Sequence, residues 1–147
     1  MSNCRSLPVR CPAASKPATG ATIPPGTYRT VIDRADAKDH GIPWANVVEE
    51  DPDPKALKAK TKEHRLEFTE QGGFTVYDVT IDGTANIGWE GSYSVYRDRI
   101  TVKGNEGTTI TARVEIDGDR LRFTDVRPGP RTPEALTWGS EPFVKMN

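Results

Sequence analysis

Residues 108–126 read TTITARVEIDGDRLRFTDV, and this stretch decides the fold. Ile110, Ala112, Val114 and Ile116 alternate with Thr109, Thr111, Arg113 and Glu115. A two-residue period puts apolar side chains on one face of a strand and polar ones on the other. Asp117-Gly118-Asp119 supplies turn residues, and Arg120–Val126 returns with Leu121 and Phe123 inward. The pair reads as an antiparallel hairpin with one face in a core and one in water.

The same texture extends outward. Arg99–Lys103 precedes the hairpin and is reached from Trp89–Tyr96 by a tight turn near Arg97-Asp98. In Trp89–Tyr96, Trp89, Gly91, Tyr93 and Val95 oppose Glu90, Ser92, Ser94 and Tyr96. Phe74–Ile81 lies between the turn signals Gln71-Gly72-Gly73 and Asp82-Gly83 and is apolar on both faces, so its facing stays open. His64–Glu70 places His64, Leu66 and Phe68 on one face. Thr27–Ile32, after the stop Pro24-Pro25-Gly26, is β-branched and aromatic and reads as the first strand. Downstream, the proline-rich loop Pro128–Pro133 precedes Leu136–Trp138, and Pro142–Met146 is a last short strand. The order predicts an all-β fold, an eight-stranded antiparallel up-and-down barrel, because closure removes the exposed edges of a meander. Phe143–Met146 is then expected to pair with Thr27–Ile32. A two-sheet sandwich is the alternative, but it usually needs longer crossovers.

Residues 1–23 are rich in Pro, Ala, Ser and Thr, show no periodicity, and read as a disordered arm before one domain over 24–147. Residues 33–62 form a helical insertion after the first strand. Asp33 caps a short helix through Ala35–His40 that Gly41 ends, and Pro52 and Pro54 open a second helix, Lys55–Lys62. A connection of about 30 residues, where a barrel needs only a turn, reads as a lid or cap. Its Trp44, Val47, Val48 and Leu57 can plug one barrel mouth.

The 147 residues suit a single domain, and 20 basic against 21 acidic side chains argue against a nucleic-acid partner. No stretch approaches the roughly 20 apolar residues of a transmembrane segment. The start, MSNCRSLPVRCPAA, lacks the apolar core of a secretory signal, and LPVRC puts Arg10 where a lipobox needs a small residue. As written the chain reads as cytoplasmic; a start further upstream would make it exported. Cys4 and Cys11 both fall in the arm, so neither their redox state nor a bridge between them bears on the core.

No cofactor is called for. Gly104-Asn105-Glu106-Gly107 lacks the helix and the Lys-Ser/Thr pair of a nucleotide loop. Two histidines far in sequence from both cysteines suggest no metal cluster. Gly91-Ser92 lies inside a strand rather than on a nucleophile elbow.

Three phrases carry a family resemblance. They are Gly26-Thr27-Tyr28-Arg29-Thr30 with the acidic helix Ala35–Gly41, then Trp89–Val95 with Asp98–Val102, then Trp138-Gly139-Ser140-Glu141-Pro142-Phe143-Val144-Lys145. Over residues 26–147 the chain resembles the lipocalin-like domains of actinobacteria, found as small proteins or beside ABC-transporter solute-binding domains. The resemblance implies a calycin-type barrel that holds a small hydrophobic ligand, and it carries no catalytic residues.

The candidate ligand-binding residues are Tyr28, Trp44, His64, Phe68, Trp89, Tyr93 and Trp138. Aromatic side chains with polar tips line apolar pockets and fix orientation, and they equally fill solid barrel cores. His64 reads as a polar handle or as a hydrogen-bonded histidine at a strand start. Asp78 is a polar anchor if its strand faces inward, where it needs a partner, and plain solvated charge if it faces out. Glu49-Glu50-Asp51 reads as solvated charge. The expected partner is a small hydrophobic or amphipathic molecule. The alternatives are a cyclase- or isomerase-type barrel enzyme, which needs only a pocket and one polar group, and a solid-core interaction domain.

Overall fold

The computed structural model describes residues 23–146. The arm, except Ile23, lies outside the described residues, and so do Cys4 and Cys11. The chain forms a closed barrel of eight strands, each antiparallel to the next and the last to the first. They are β1 (Gly26–Asp33), β2 (Thr61–Phe68), β3 (Gly73–Val79), β4 (Ala85–Tyr96), β5 (Arg99–Gly104), β6 (Thr109–Asp117), β7 (Arg120–Arg127) and β8 (Phe143–Lys145). The expected closure holds: Tyr28 stands opposite Lys145 and Arg29 opposite Val144. Among the described residues no helix is long and apolar enough to cross a membrane.

The meander gives the barrel two ends. At the lower end lie the short turns between β2 and β3, β4 and β5, and β6 and β7. The chain also enters there: Ile23 is fully buried and its N–H donates to Tyr93 Oη at 3.1 Å, while Tyr28 Oη donates to the Pro24 carbonyl at 2.7 Å. Ile23 thus belongs to the barrel rather than to the arm. At the upper end lie the long connections, the 33–62 insertion and helix α3 (Pro133–Gly139).

The insertion is a folded cap. Helix α1 (Arg34–Asp39) has the expected Asp33 cap, completed as a capping box by Asp36. Helix α2 (Trp44–Val47) follows. Arg34 ties the cap together, donating to the Ala59 and Leu57 carbonyls and lying over the Trp44 ring at 5.0 Å. The expected helix Lys55–Lys62 does not form; a 3-10 turn spans Pro54–Lys58 and β2 begins at Thr61. Asp53 caps that turn, but with Leu57 53% exposed it has no apolar face to extend it, and the alternation of β2 takes over. Leu57 therefore plugs nothing. Val48 and Ala56 are buried instead.

Leu136–Trp138, which periodicity left outside any element, lies on α3. Thr132 Oγ1 accepts from the Ala135 N–H at 3.2 Å, and Pro133 opens the helix. This turns Ala135, Leu136 and Trp138 into the buried upper plug. Ile116 holds its register opposite Leu121 but sits at the lower rim, 46% exposed.

Gly91 marks the close approach of β4 and β5, opposite Gly104. A Cβ at Gly91 would run into the Lys103 carbonyl and come within 2.8 Å of the Gly104 Cα, both backbone atoms. Gly91 therefore does not leave room for a ligand. Gly88 is different: it is the extra residue where pairing slips from Val76–Trp89 to Tyr77–Ile87, and a Cβ there meets only the Val76 carbonyl at 3.6 Å. Gly91→Ala is expected to cost about 3 kcal/mol or more. Gly88→Ala should cost well under half of that, by urea denaturation of both variants.

Candidate functional site

The inner face of β2 runs from charged to aromatic. Lys62, His64, Leu66 and Phe68 are all buried and descend from the upper mouth. On β3, Asp78 stands opposite His64, Val76 opposite Leu66 and Phe74 opposite Phe68. Cross-strand partners share a face, so the open question about β3 resolves: Phe74, Val76 and Asp78 point inward.

Asp78 is therefore a partly buried carboxylate, and it has the partner it needs. Lys62 Nζ lies 2.6 Å from Asp78 Oδ1 and donates to the Val79 carbonyl at 2.7 Å, with the lysine side chain only 4% exposed. Sequence reasoning missed Lys62, which it placed at the end of a helix. The signal was the unbroken alternation Lys62, His64, Leu66, Phe68.

His64 stands beside this pair. Its Nε2 is 3.9 Å from Asp78 Oδ1, beyond hydrogen-bond length, and its buried Nδ1 has no hydrogen-bond partner among the described residues. Burial pushes its pKa down to about 4; the Asp78 carboxylate works against the shift and the Lys62 ammonium reinforces it. At neutral pH the imidazole is uncharged and retains acceptor capacity.

Above the column is a cleft of about 400 Å³. Ile42, Val47, Val76, Trp89 and Leu136 form its apolar wall, His64 and Asp78 its polar one on the strands, and Asn46, Glu49 and Glu50 its polar edge on the cap. Four segments build it: the cap, β2 with β3, the Gly88 bulge of β4, and α3. A second recess of about 230 Å³ shares Val76, Gly88, Trp89, Pro133 and Thr137 with it and extends to Trp138. Below Trp89 the barrel is crossed by aromatic rings in edge-to-face contact. Phe74 meets Trp89 at 5.0 Å, Trp138 meets Phe123 at 5.1 Å, and Phe123 meets Phe143 at 5.7 Å between centroids.

The candidate residues divide accordingly. His64, Asp78 and Trp89 line the cleft, and Trp138 borders the adjoining recess. Tyr28, Phe68 and Tyr93 do not reach the cleft. They pack edge to face in the lower core, Phe68 against Tyr28 at 6.2 Å and against Tyr93 at 4.9 Å. Trp44 supports the cap from behind, against the cluster of Ile32, Ala37 and Leu136, and its Nε1 donates to the Ala56 carbonyl at 3.3 Å. No group of three or more His, Cys, Asp or Glu side chains is disposed to hold a metal among the described residues.

The depressed His64 pKa fixes a sign. Unfolded, the imidazole takes up a proton near pH 6.5; folded, only near 4, so the unfolded chain binds more protons between these values and stability falls as pH falls. From pH 7 to pH 5 the parent should lose roughly 2 kcal/mol that a His64→Gln variant keeps, read by denaturant unfolding at each pH. The ion pair makes a separate prediction. Lys62→Met strands a carboxylate and should cost about 3–5 kcal/mol, and adding Asp78→Leu should restore most of it.

Comparison with protein-family models, with curated proteins and with solved structures finds no match to this chain in any of the three.

Proposed function

We propose that this chain binds a small amphipathic molecule in the upper cleft, in the manner of a lipocalin-like barrel but at the mouth rather than deep inside. One observation carries the reading: an apolar-walled cleft of about 400 Å³ has the His64 imidazole and the Asp78 carboxylate in its polar wall. Ligand pockets typically occupy roughly 300–1,000 Å³ and combine apolar walls with a few convergent polar groups.

The aromatic layer of Phe74, Trp138 and Phe123 limits the depth a ligand can reach. The ligand's apolar body would lie on Val76, Trp89 and Leu136, with the cap over it. A second reading, proton transfer to or from the bound molecule, is favoured by the neutral His64 alone.

Titration with an uncharged apolar dye such as Nile red should give saturable binding, with dye emission rising and tryptophan emission quenched. Trp89→Phe should remove most of the quenching, since Trp44 and Trp138 do not line this cleft. A linear, non-saturating response would overturn the binding reading. Loss of turnover but not of dye binding in His64→Gln would establish the second.

A further inference from the structure

The upper cleft is an apolar groove. Val47, Val76, Trp89 and Leu136 line it, and the adjoining recess continues past Trp89 to Pro133 and Trp138. Its two sides are acidic. Glu49 and Glu50 stand on the cap, Glu106 and Glu134 in the recess, and among the described residues neither wall holds a lysine or an arginine.

Residues 1–22 have the opposite composition. They carry Arg5, Arg10 and Lys16 and no acidic side chain, so three of the 20 basic residues and none of the 21 acidic ones precede the barrel. The only large aliphatic side chains between Met1 and Ile23 are Leu7 and Val9, and they stand inside Arg5-Ser6-Leu7-Pro8-Val9-Arg10. An apolar pair bracketed by cations is the complement of an apolar groove bracketed by carboxylates. Pro8 adds to the fit. It restricts the backbone, so the segment loses less entropy on docking. Proline-containing segments also dock in aromatic-lined grooves, and Trp89 lines this one.

The tether is long enough. Ile23 is held at the lower end of the barrel, where its N–H donates to Tyr93 Oη. The 12 residues from Cys11 to Thr22 reach up to about 40 Å when extended, at roughly 3.3 Å each. The eight residues of β1 rise only about 26 Å from one end of the barrel to the other. A segment tethered in this way meets its groove at an effective concentration on the order of millimolar, so contacts too weak for two separate molecules still fill it.

We propose that Arg5–Arg10 of this chain docks in the upper cleft, as an internal occupant that a diffusing ligand must displace. Leu7, Pro8 and Val9 lie on the apolar wall, and the two arginines face the glutamates on either side. This occupant uses the groove of the binding reading and needs no external ligand.

Cys4 and Cys11, the chain's only cysteines, flank the segment and supply the probe. A nitroxide on Cys11 of the full-length Cys4→Ser chain should broaden the amide signals of Gly88, Trp89 and Thr137 and leave those of Gly72, Gly73 and Gly118, at the lower turns, sharp. Raising the salt from about 0.05 to about 0.5 M should weaken the broadening, and Arg5→Glu with Arg10→Glu should remove it. In the unlabelled charge-reversed chain Nile red should bind about five-fold tighter than in the parent, the factor by which an occupant present in about four molecules of five weakens a competitor. Broadening confined to the lower turns, or cleft broadening that survives charge reversal, would overturn the inference, and so would equal dye affinity in the two chains; saturable Nile red binding would still support the binding reading. Cleft broadening that charge reversal removes, in chains that take up no Nile red, would support this inference and remove the binding reading.

Discussion

A charge enters the mouth of a barrel only with a counter-charge, and the upper half of this molecule is arranged around that requirement. Lys62 and Asp78 meet at 2.6 Å across β2 and β3, and the lysine's remaining donor capacity is turned on the Val79 carbonyl. Either group alone would be an uncompensated buried charge. Together they fix the register of the two strands at their upper ends, because a one-residue slip of either strand would turn its own member of the pair to the outside. They also keep the top of the inner column polar, so the core cannot extend to the rim.

From this pair downward the polarity falls in steps: His64, then Leu66 with Val76, then Phe68 with Phe74. The lower steps are filled. Tyr28, Phe68 and Tyr93 pack with Ile23 in one cluster, and both tyrosines hydrogen-bond the incoming backbone, at Pro24 and Ile23. Tyr28 thereby commits its O–H and Tyr93 an acceptor lone pair, both in the lower core. Three of the aromatics that sequence offers as pocket lining are therefore core. The cleft begins only where the aromatic layer ends at Trp89, whose Nε1 is itself held by Glu106.

How much of this is legible in the sequence depends on how many residues share a signal. The Thr108–Val126 hairpin is legible throughout, because apolar and polar residues alternate over its whole length and a glycine-containing turn divides it. Closure follows from strand count and the need to bury edges, and the structure agrees. The facing of β3 is not legible, because Phe74, Val76 and Thr80 look no more inward than Tyr77, Val79 and Ile81. What decides it is a lysine on the neighbouring strand, and that lysine sits where proline and charge suggest helix. Helix α3 had a signal in Thr132-Pro133-Glu134, a cap, a proline and an acid at successive positions; three residues of apolar pattern behind it were too few to register. The Gly88 bulge leaves no such trace, since its cause is the path of β4 toward the mouth. So two site residues, His64 and Trp89, follow from alternation alone, and Asp78 follows only once Lys62 is seen.

The same constraint explains why the cleft is closed by connections that stand over the upper ends of the strands. The strand faces below it are committed to the core, and β8 has only three residues, so it joins β7 to β1 over a short seam. Helix α3 packs on β7 above that seam and sends Trp138 and Leu136 inward, closing what β8 leaves open. The cap closes the opposite side, tied to the β3–β4 turn by the Ile81 N–H donating to Asp51 Oδ2 at 2.7 Å. The polar pair between them forbids a third apolar plug. A barrel with a filled floor, two capping elements and a charged column at its mouth must leave a space there. That space has the β2–β3–β4 sheet as one wall and the cap and α3 as the others.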